Sequence, residues 1–137
     1  MNRYILDTNV VSEFRKARPH GAAAAWIDAQ PTAHLFLSAV TIGELQAGVE
    51  RTRRQDPTKA DELENWLSEL PALYQCLPMD VACFREWARL MYRASETLSE
   101  DAMIAATARV HGLVVATRNE RDFAHFDVRI VNPFKAS

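Results

Sequence analysis

The sequence predicts an α/β fold in three layers, α/β/α, around a central and mainly parallel β-sheet. Short runs of β-branched and aliphatic residues alternate along the chain with longer segments whose apolar residues recur at helical spacing. The segments between successive runs are long enough for helical crossovers, which parallel pairing requires. The 137 residues suffice for one core of two or three layers and not for two cores, so a single domain over 1–137 is expected.

The first strand is expected from Arg3 to Leu6, an apolar run that leads directly into Asp7-Thr8-Asn9, whose side chains can cap a helix from Val10 to Lys16. Arg15 and Lys16 suit that helix's C-terminus, and Pro19 and Gly21 break the pattern. Ala22 to Ala29 has helix propensity, with Trp26 and Ile27 as bulky anchors, and Pro31 closes it. Leu35-Phe36-Leu37 reads as a second buried strand. Ser38 or Thr41 then starts a helix with Ile42, Leu45 and Val49 on one face and Glu44 in its first turns.

Arg51, Arg53, Arg54 and Lys59 surround Asp56-Pro57, where a helical hairpin should turn. Leu63, Trp66, Leu67 and Leu70 form the inward stripe of the next helix, until Pro71 disturbs it. Pro78 and Asp80 start another, with Val81, Phe84, Ala88 and Met91 on its expected inner face. Thr97 with Glu100, or Ser99 instead, should cap a helix from Ala102 to His111, which Gly112 stops. Leu113 to Ala116 is the clearest strand. After it come Thr117-Arg118-Asn119, a helical turn holding Asp122 and Phe123, and a last strand from Val128 to Val131. No internal repeat, linker or low-complexity segment interrupts this order.

With 48% hydrophobic and 25% charged residues, the composition is that of a globular protein and excludes disorder. Cys76 and Cys83 lack metal or redox spacing, and no apolar run approaches membrane-spanning length, so reduced thiols and a cytoplasmic location are expected. The net charge of −2 weighs against a nucleic-acid binder. That average changes sign if Asp7, Glu44, Asp101 and Asp122 are neutralised by cations, which leaves a mildly basic remainder.

Those four acids share one feature, in that each lies near the start of an expected helix. Helix stability explains each singly: Asp7 as an N-cap, Thr41 with Glu44 as a capping box, Asp101 as a first-turn acid, Asn119 with Asp122 as a cap pair. Their conjunction points elsewhere, because Asp7 and Asp122 both follow strands and so share the sheet edge where ligands bind in open parallel sheets. Carboxylates brought together repel unless cations join them, which implies a hard divalent ion, Mg²⁺ or Mn²⁺. His20, His34, His111 and His125 are scattered without ligand spacing, which points away from zinc. Carboxylate-held Mg²⁺ suits phosphodiester hydrolysis.

Four segments in order carry a resemblance. They are Ile5-Leu6-Asp7-Thr8-Asn9, Leu37 to Leu45 around Thr41 and Glu44, Glu100 to Ala108 around Asp101, and Ala116-Thr117-Arg118-Asn119 with Asp122-Phe123. With the ending Val131-Asn132-Pro133-Phe134, they resemble PIN-domain ribonucleases of the VapC toxin type over nearly the whole chain. The resemblance implies a PIN-like fold and a metal-dependent endoribonuclease, the toxin of a type II toxin–antitoxin pair, which cleaves RNA and arrests translation or growth. It implies Asp7, Glu44 and Asp101 as catalytic metal ligands for Mg²⁺ or Mn²⁺, with Thr8 and Asn9 orienting the first. Relatives place the fourth acid at the position of either Asn119 or Asp122; Asp122 is assigned here, with Thr117 and Asn119 in support. The implied partners are an RNA substrate, an antitoxin of VapB type and a second copy of the chain.

Two other classes of protein begin with a strand ending in Asp. A phosphatase of the haloacid dehalogenase type needs a second Asp where this chain has Asn9, and a receiver domain needs a Lys after the strand at Leu113 to Ala116. The rival from another class is a catalytically inactive PIN-like domain that binds RNA or protein. The basic residues Arg15, Lys16, Arg18, Arg51, Arg53, Arg54, Arg118 and Arg121 suit RNA phosphates, and equally suit solvated helix ends.

Overall fold

The structure, a computed structural model, describes residues 1–135; positions 136 and 137 of the expected domain lie outside the described residues. Five strands, β1 (Tyr4–Leu6), β2 (Leu35–Ser38), β3 (Gln75–Leu77), β4 (Val114–Ala116) and β5 (Ile130–Val131), form one sheet in the order β3-β2-β1-β4-β5. Every pair is parallel. Seven helices cover it: α1 (Thr8–Val11), α2 (Gly21–Asp28), α3 (Ala39–Arg53), α4 (Pro57–Leu73), α5 (Val81–Met91), α6 (Ser99–His111) and α7 (Glu120–Phe123).

The pleat sorts the core into two halves. Ile5, Phe36 and Val115 face one side and pack with α5, α6 and α7, around Ile104, Ala105, Phe123 and Phe126. Leu6, Leu35, Leu37 and Ala116 face the other, against Val10 and Val11 of α1, Val49 of α3 and Leu67 and Leu70 of α4. Alternation along strands buried on both faces is what makes them read as continuous apolar runs. The three expected layers are therefore present. Gly112 ends α6 in the left-handed region at φ 67°, where a Cβ would be strained.

Several local expectations are corrected. The sequence reading has no strand at Gln75–Leu77, yet this segment pairs with β2 at the sheet edge, where backbone hydrogen bonds suffice and only Leu77 is fully buried. The last strand is confined to Ile130–Val131, short of Val128. The first helix is α1 followed by a 3₁₀ turn over Ser12–Arg15, not one helix to Lys16. Pro71 does not end α4, because it sits in the last turn, where a missing N–H costs one hydrogen bond, and the helix runs on to Leu73. The inner face of α5 is Cys83, Trp87, Leu90 and Met91; of the expected face only Met91 packs inward, while Ala88 is exposed and Val81 and Phe84 are 76% and 43% exposed. Both stripes are apolar at helical spacing, so periodicity alone could not choose.

The capping assignments change most. Ser38 is the N-cap of α3, its hydroxyl accepting from the Val40 N–H at 3.0 Å, so Thr41 and Glu44 lie inside the helix and form no capping box. Neither Thr97 nor Ser99 caps α6, which starts at Ser99 without a side-chain cap. Asn119 makes no backbone cap to α7 either. Helix capping therefore accounts for neither Glu44 nor Asp122, while Asp101 does stand in the first turn of α6 as expected.

Candidate active site

The strand order reverses between β1 and β4, and the crevice at their carboxyl ends is where an open α/β sheet binds ligands. Asp7 follows β1 there and Thr117 follows β4. Asp7 is 5% exposed, and its main-chain N–H bonds Ala116 O at 2.9 Å, which pins the turn to the neighbouring strand.

Three donors fix its carboxylate. Oδ1 accepts the Thr8 N–H at 2.8 Å, and Oδ2 accepts the Thr117 hydroxyl at 2.7 Å and the Asn9 amide at 3.1 Å. Asp7 thus is a helix N-cap, as its sequence position suggests, but the cap uses one oxygen. A carboxylate offers about four lone-pair sites, so one remains open on Oδ1. The donors are held in turn: Thr117 Oγ accepts the Asn119 N–H at 2.9 Å, and Asn9 Oδ1 accepts the Arg118 N–H at 3.1 Å. Residues flagged from the sequence as supporting, Thr8, Asn9, Thr117 and Asn119, all converge on Asp7 or its holders.

Glu44 arrives from the second turn of α3. Thr8 Oγ lies 2.9 Å from Glu44 Oε1 and 3.2 Å from Thr41 Oγ. Its single proton goes to the carboxylate, the stronger acceptor. Asp122 is held by Asn119, whose amide donates to its Oδ2 at 2.7 Å. This settles the geometry of that pair, in which Asn119 restrains the acid.

Electrostatics show that the four acids share one space. Burial raises the Asp7 carboxyl above its ordinary range, against the lowering pull of its three hydrogen bonds. Glu44 is raised by burial and then by the charges of Asp7 and Glu100. Asp101, in the first turn of α6, is pushed up to about 7, first by burial and then by Asp7, Asp122, Glu44 and Glu100. Glu100 is a fifth acid that the sequence reading missed as part of the cluster; the signal was two successive acids in one first turn. Thr41, the buried partner of Thr8, was also missed.

The donor set fits a small hard cation, being all oxygen, concentrated at a switch point and, among the described residues, in no ion pair with a base. Among the described residues, no three acid, histidine or cysteine side chains stand at ligand spacing around one point. A looser arrangement suits Mg²⁺ or Mn²⁺, which takes one or two carboxylates from a protein and keeps several waters.

A parallel α/β domain with carboxylates gathered at its switch point is the class that this fold and site define. The PIN domain profile matches residues 4–129. A VapC ribonuclease, Y4jK, from Sinorhizobium fredii is 40% identical over 96% of this chain and 97% of its own. Toxin FitB from Neisseria gonorrhoeae is 34% identical over 95% of this chain and 97% of its own. The crystal structure of FitAcB from Neisseria gonorrhoeae superposes with a TM-score of 0.87 at 33% identity, covering 97% of this chain and 99% of that one. The chain belongs to the PIN domain family.

Proposed function

We propose that this protein is a metal-dependent endoribonuclease and the toxin of a toxin–antitoxin pair, with Asp7, Glu44, Asp101 and Asp122 as its catalytic acids. The observation that carries the reading is the gathering of these acids from four elements at one sheet edge, with the Asp101 carboxyl raised to about 7 first by burial and then by its neighbours. Relatives described as a VapC ribonuclease and as a toxin agree with it.

Asp7 and Asp101 would hold the principal Mg²⁺ or Mn²⁺, with Glu44 and Asp122 completing the acidic shell. When bound, such an ion lowers the pKa of a coordinated water and stabilises the charge that develops on a phosphodiester. The chain's own contribution is preorganisation. Thr117, Thr8 and Asn9 lock Asp7 so that one lone pair faces the crevice, Thr8 aims Glu44, and Asn119 holds Asp122. Single-stranded RNA is the favoured substrate, since its backbone reaches an edge crevice without unwinding. Purified protein should cleave such RNA in Mg²⁺ or Mn²⁺ and stop when EDTA is added; undiminished cleavage in EDTA overturns the reading.

Asp122 has a separate test. Asp122→Asn should lower the cleavage rate several-fold, raise the Mn²⁺ midpoint and barely move the melting temperature, and Asn119→Ala should do the same more weakly. An unchanged midpoint with lost stability would leave Asp122 a purely structural residue.

The partner we infer is an antitoxin of VapB type; a structural relative at 27% identity, from Mycobacterium tuberculosis, is described as a member of the VapBC family of toxin–antitoxin systems. We also infer a homodimer, though not on the expected anchors. Trp26, Ile27, Val49 and the α4 stripe are absorbed by the core beneath α1 to α4. The outward apolar stripe is Val81 and Phe84 of α5, so Phe84→Glu should convert a dimer seen by light scattering at micromolar concentration into a monomer. A wild-type monomer under those conditions removes the dimer. No helix among the described residues is long and apolar enough to cross a membrane, and a cytoplasmic site of action follows from the proposed substrate.

A further inference from the structure

Beside the acids, a cavity of about 320 Å³ opens between α1, α3 and α4, lined by Thr8 and Glu44 on one side and Arg15, Arg51 and Trp66 on the other. The site described above uses Thr8 and Glu44 but none of the other three. Arg51 and Arg53 belong to one basic cluster in sequence, and the structure separates them. Arg53 is committed to Glu50, Asp61 and Glu64. Among the described residues, no carboxylate lies within ion-pair distance of Arg15 or Arg51. The Arg51 guanidinium instead lies over Gly48, with Nη2 3.6 Å from where a Cβ of that residue would stand. The missing side chain is what leaves the floor of the cavity open.

Trp66 is half-buried, packing against the core of this face while also lining the cavity. An aromatic ring, two cations without acidic partners and space for one nucleoside, next to carboxylates that would hold the metal ion contacting the reacting phosphate, form a recognisable set. Stacking on an aromatic ring is how proteins hold unpaired bases, and arginines hold the adjoining phosphates. We propose that this cavity is a nucleotide subsite, in which Trp66 stacks the base of a nucleotide flanking the scissile phosphate and Arg15 and Arg51 bind its phosphates. The proposal rests on the ribonuclease reading and adds to it where the RNA lies: across Glu44, from the acids toward the α3–α4 groove.

The test uses the full chain in EDTA, so that RNA stays intact, with a short single-stranded oligoribonucleotide as probe and tryptophan fluorescence as readout. Wild type should show quenching on saturation. Trp66→Leu, which keeps an apolar group against the core, should abolish that quenching and weaken binding about tenfold. Arg51→Gln and Arg15→Gln should each weaken binding and lower the salt dependence by about one counterion. Gly48→Leu fills the cavity and favours the helix, so it should block binding with an unchanged or raised melting temperature. In Mg²⁺, Trp66→Leu should raise KM and leave kcat nearly unchanged.

Unchanged RNA affinity and KM in both Trp66→Leu and Gly48→Leu, in a protein whose wild type cleaves RNA, overturn the subsite and leave the nuclease intact. Failure of wild type to cleave any RNA in Mg²⁺ or Mn²⁺ fails the nuclease reading and the subsite with it. Substitutions that spare RNA binding but release a co-expressed antitoxin assign the cavity to the protein partner, which also overturns the proposal.

Discussion

Asp7→Asn is expected to reduce RNA cleavage by roughly 10²-fold or more, the scale of removing one preorganised charged group from a reacting centre. The hydrogen bonds around Asp7 limit what the substitution costs the fold. Its carboxylate accepts from Thr8, Asn9 and Thr117, and an amide has a single oxygen to offer three donors. One donor must therefore face the new NH₂ group, which costs about 1 kcal/mol, typical of a lost cap. Relief of the burial that raises Asp7 works in the other direction, so the melting temperature should move little. Activity should be lost with the fold retained. Full activity in this variant would remove Asp7 from the chemistry.

The second large effect is a gain in stability. Asp101→Asn should inactivate the enzyme and stabilise the metal-free protein. The unfolded carboxyl titrates near 3.8 and the folded one near 7. The folded state therefore holds the proton more tightly, and the metal-free protein loses stability as pH rises from about 4 through 7. Asp101 is half-exposed, so solvent screening cuts the effect to about 1–2 kcal/mol. At pH 8 that corresponds to a rise of about 3–7 °C in the variant's melting temperature, shrinking toward zero near pH 4. Mn²⁺ should stabilise wild type and not Asp101→Asn, since only a ligand bound to the folded state shifts its melting. A variant that melts lower than wild type at pH 8 without metal would mean that Asp101 is a structural acid.

Much of this site was legible in the sequence because its parts sit at punctuated positions. Asp7 follows an apolar run, Thr117 follows another, and both runs are strands buried on both faces, the kind that composition marks most clearly. What stayed hidden depends on tertiary choice. Helix capping offered a sufficient explanation for Glu44 and Asp122, and it lapsed only when Ser38 proved to be the cap of α3 and Asn119 proved to make no side-chain cap to α7, while Asp101 keeps its expected place in the first turn of α6. β3 carries polar Gln75 and half-buried Cys76, so an edge strand held by backbone pairing left no apolar signature. The outward turn of Val81 and Phe84 depends on which of two apolar stripes fits over α6. Arg51 and Arg53 look alike in sequence and differ only in which acids α4 brings within reach.

Calorimetric titration of Mn²⁺ into the purified chain asks directly whether the acid cluster is a divalent-metal site. With a ligand carboxyl that titrates at about 7, binding at pH 7 should release about half a proton, detectable as a dependence of the heat on buffer ionisation enthalpy. Wild type should show saturable binding with that proton release, and Asp7→Asn and Asp101→Asn should show neither. No binding at millimolar Mn²⁺, or equal binding in Asp101→Asn, would contradict a metal site there.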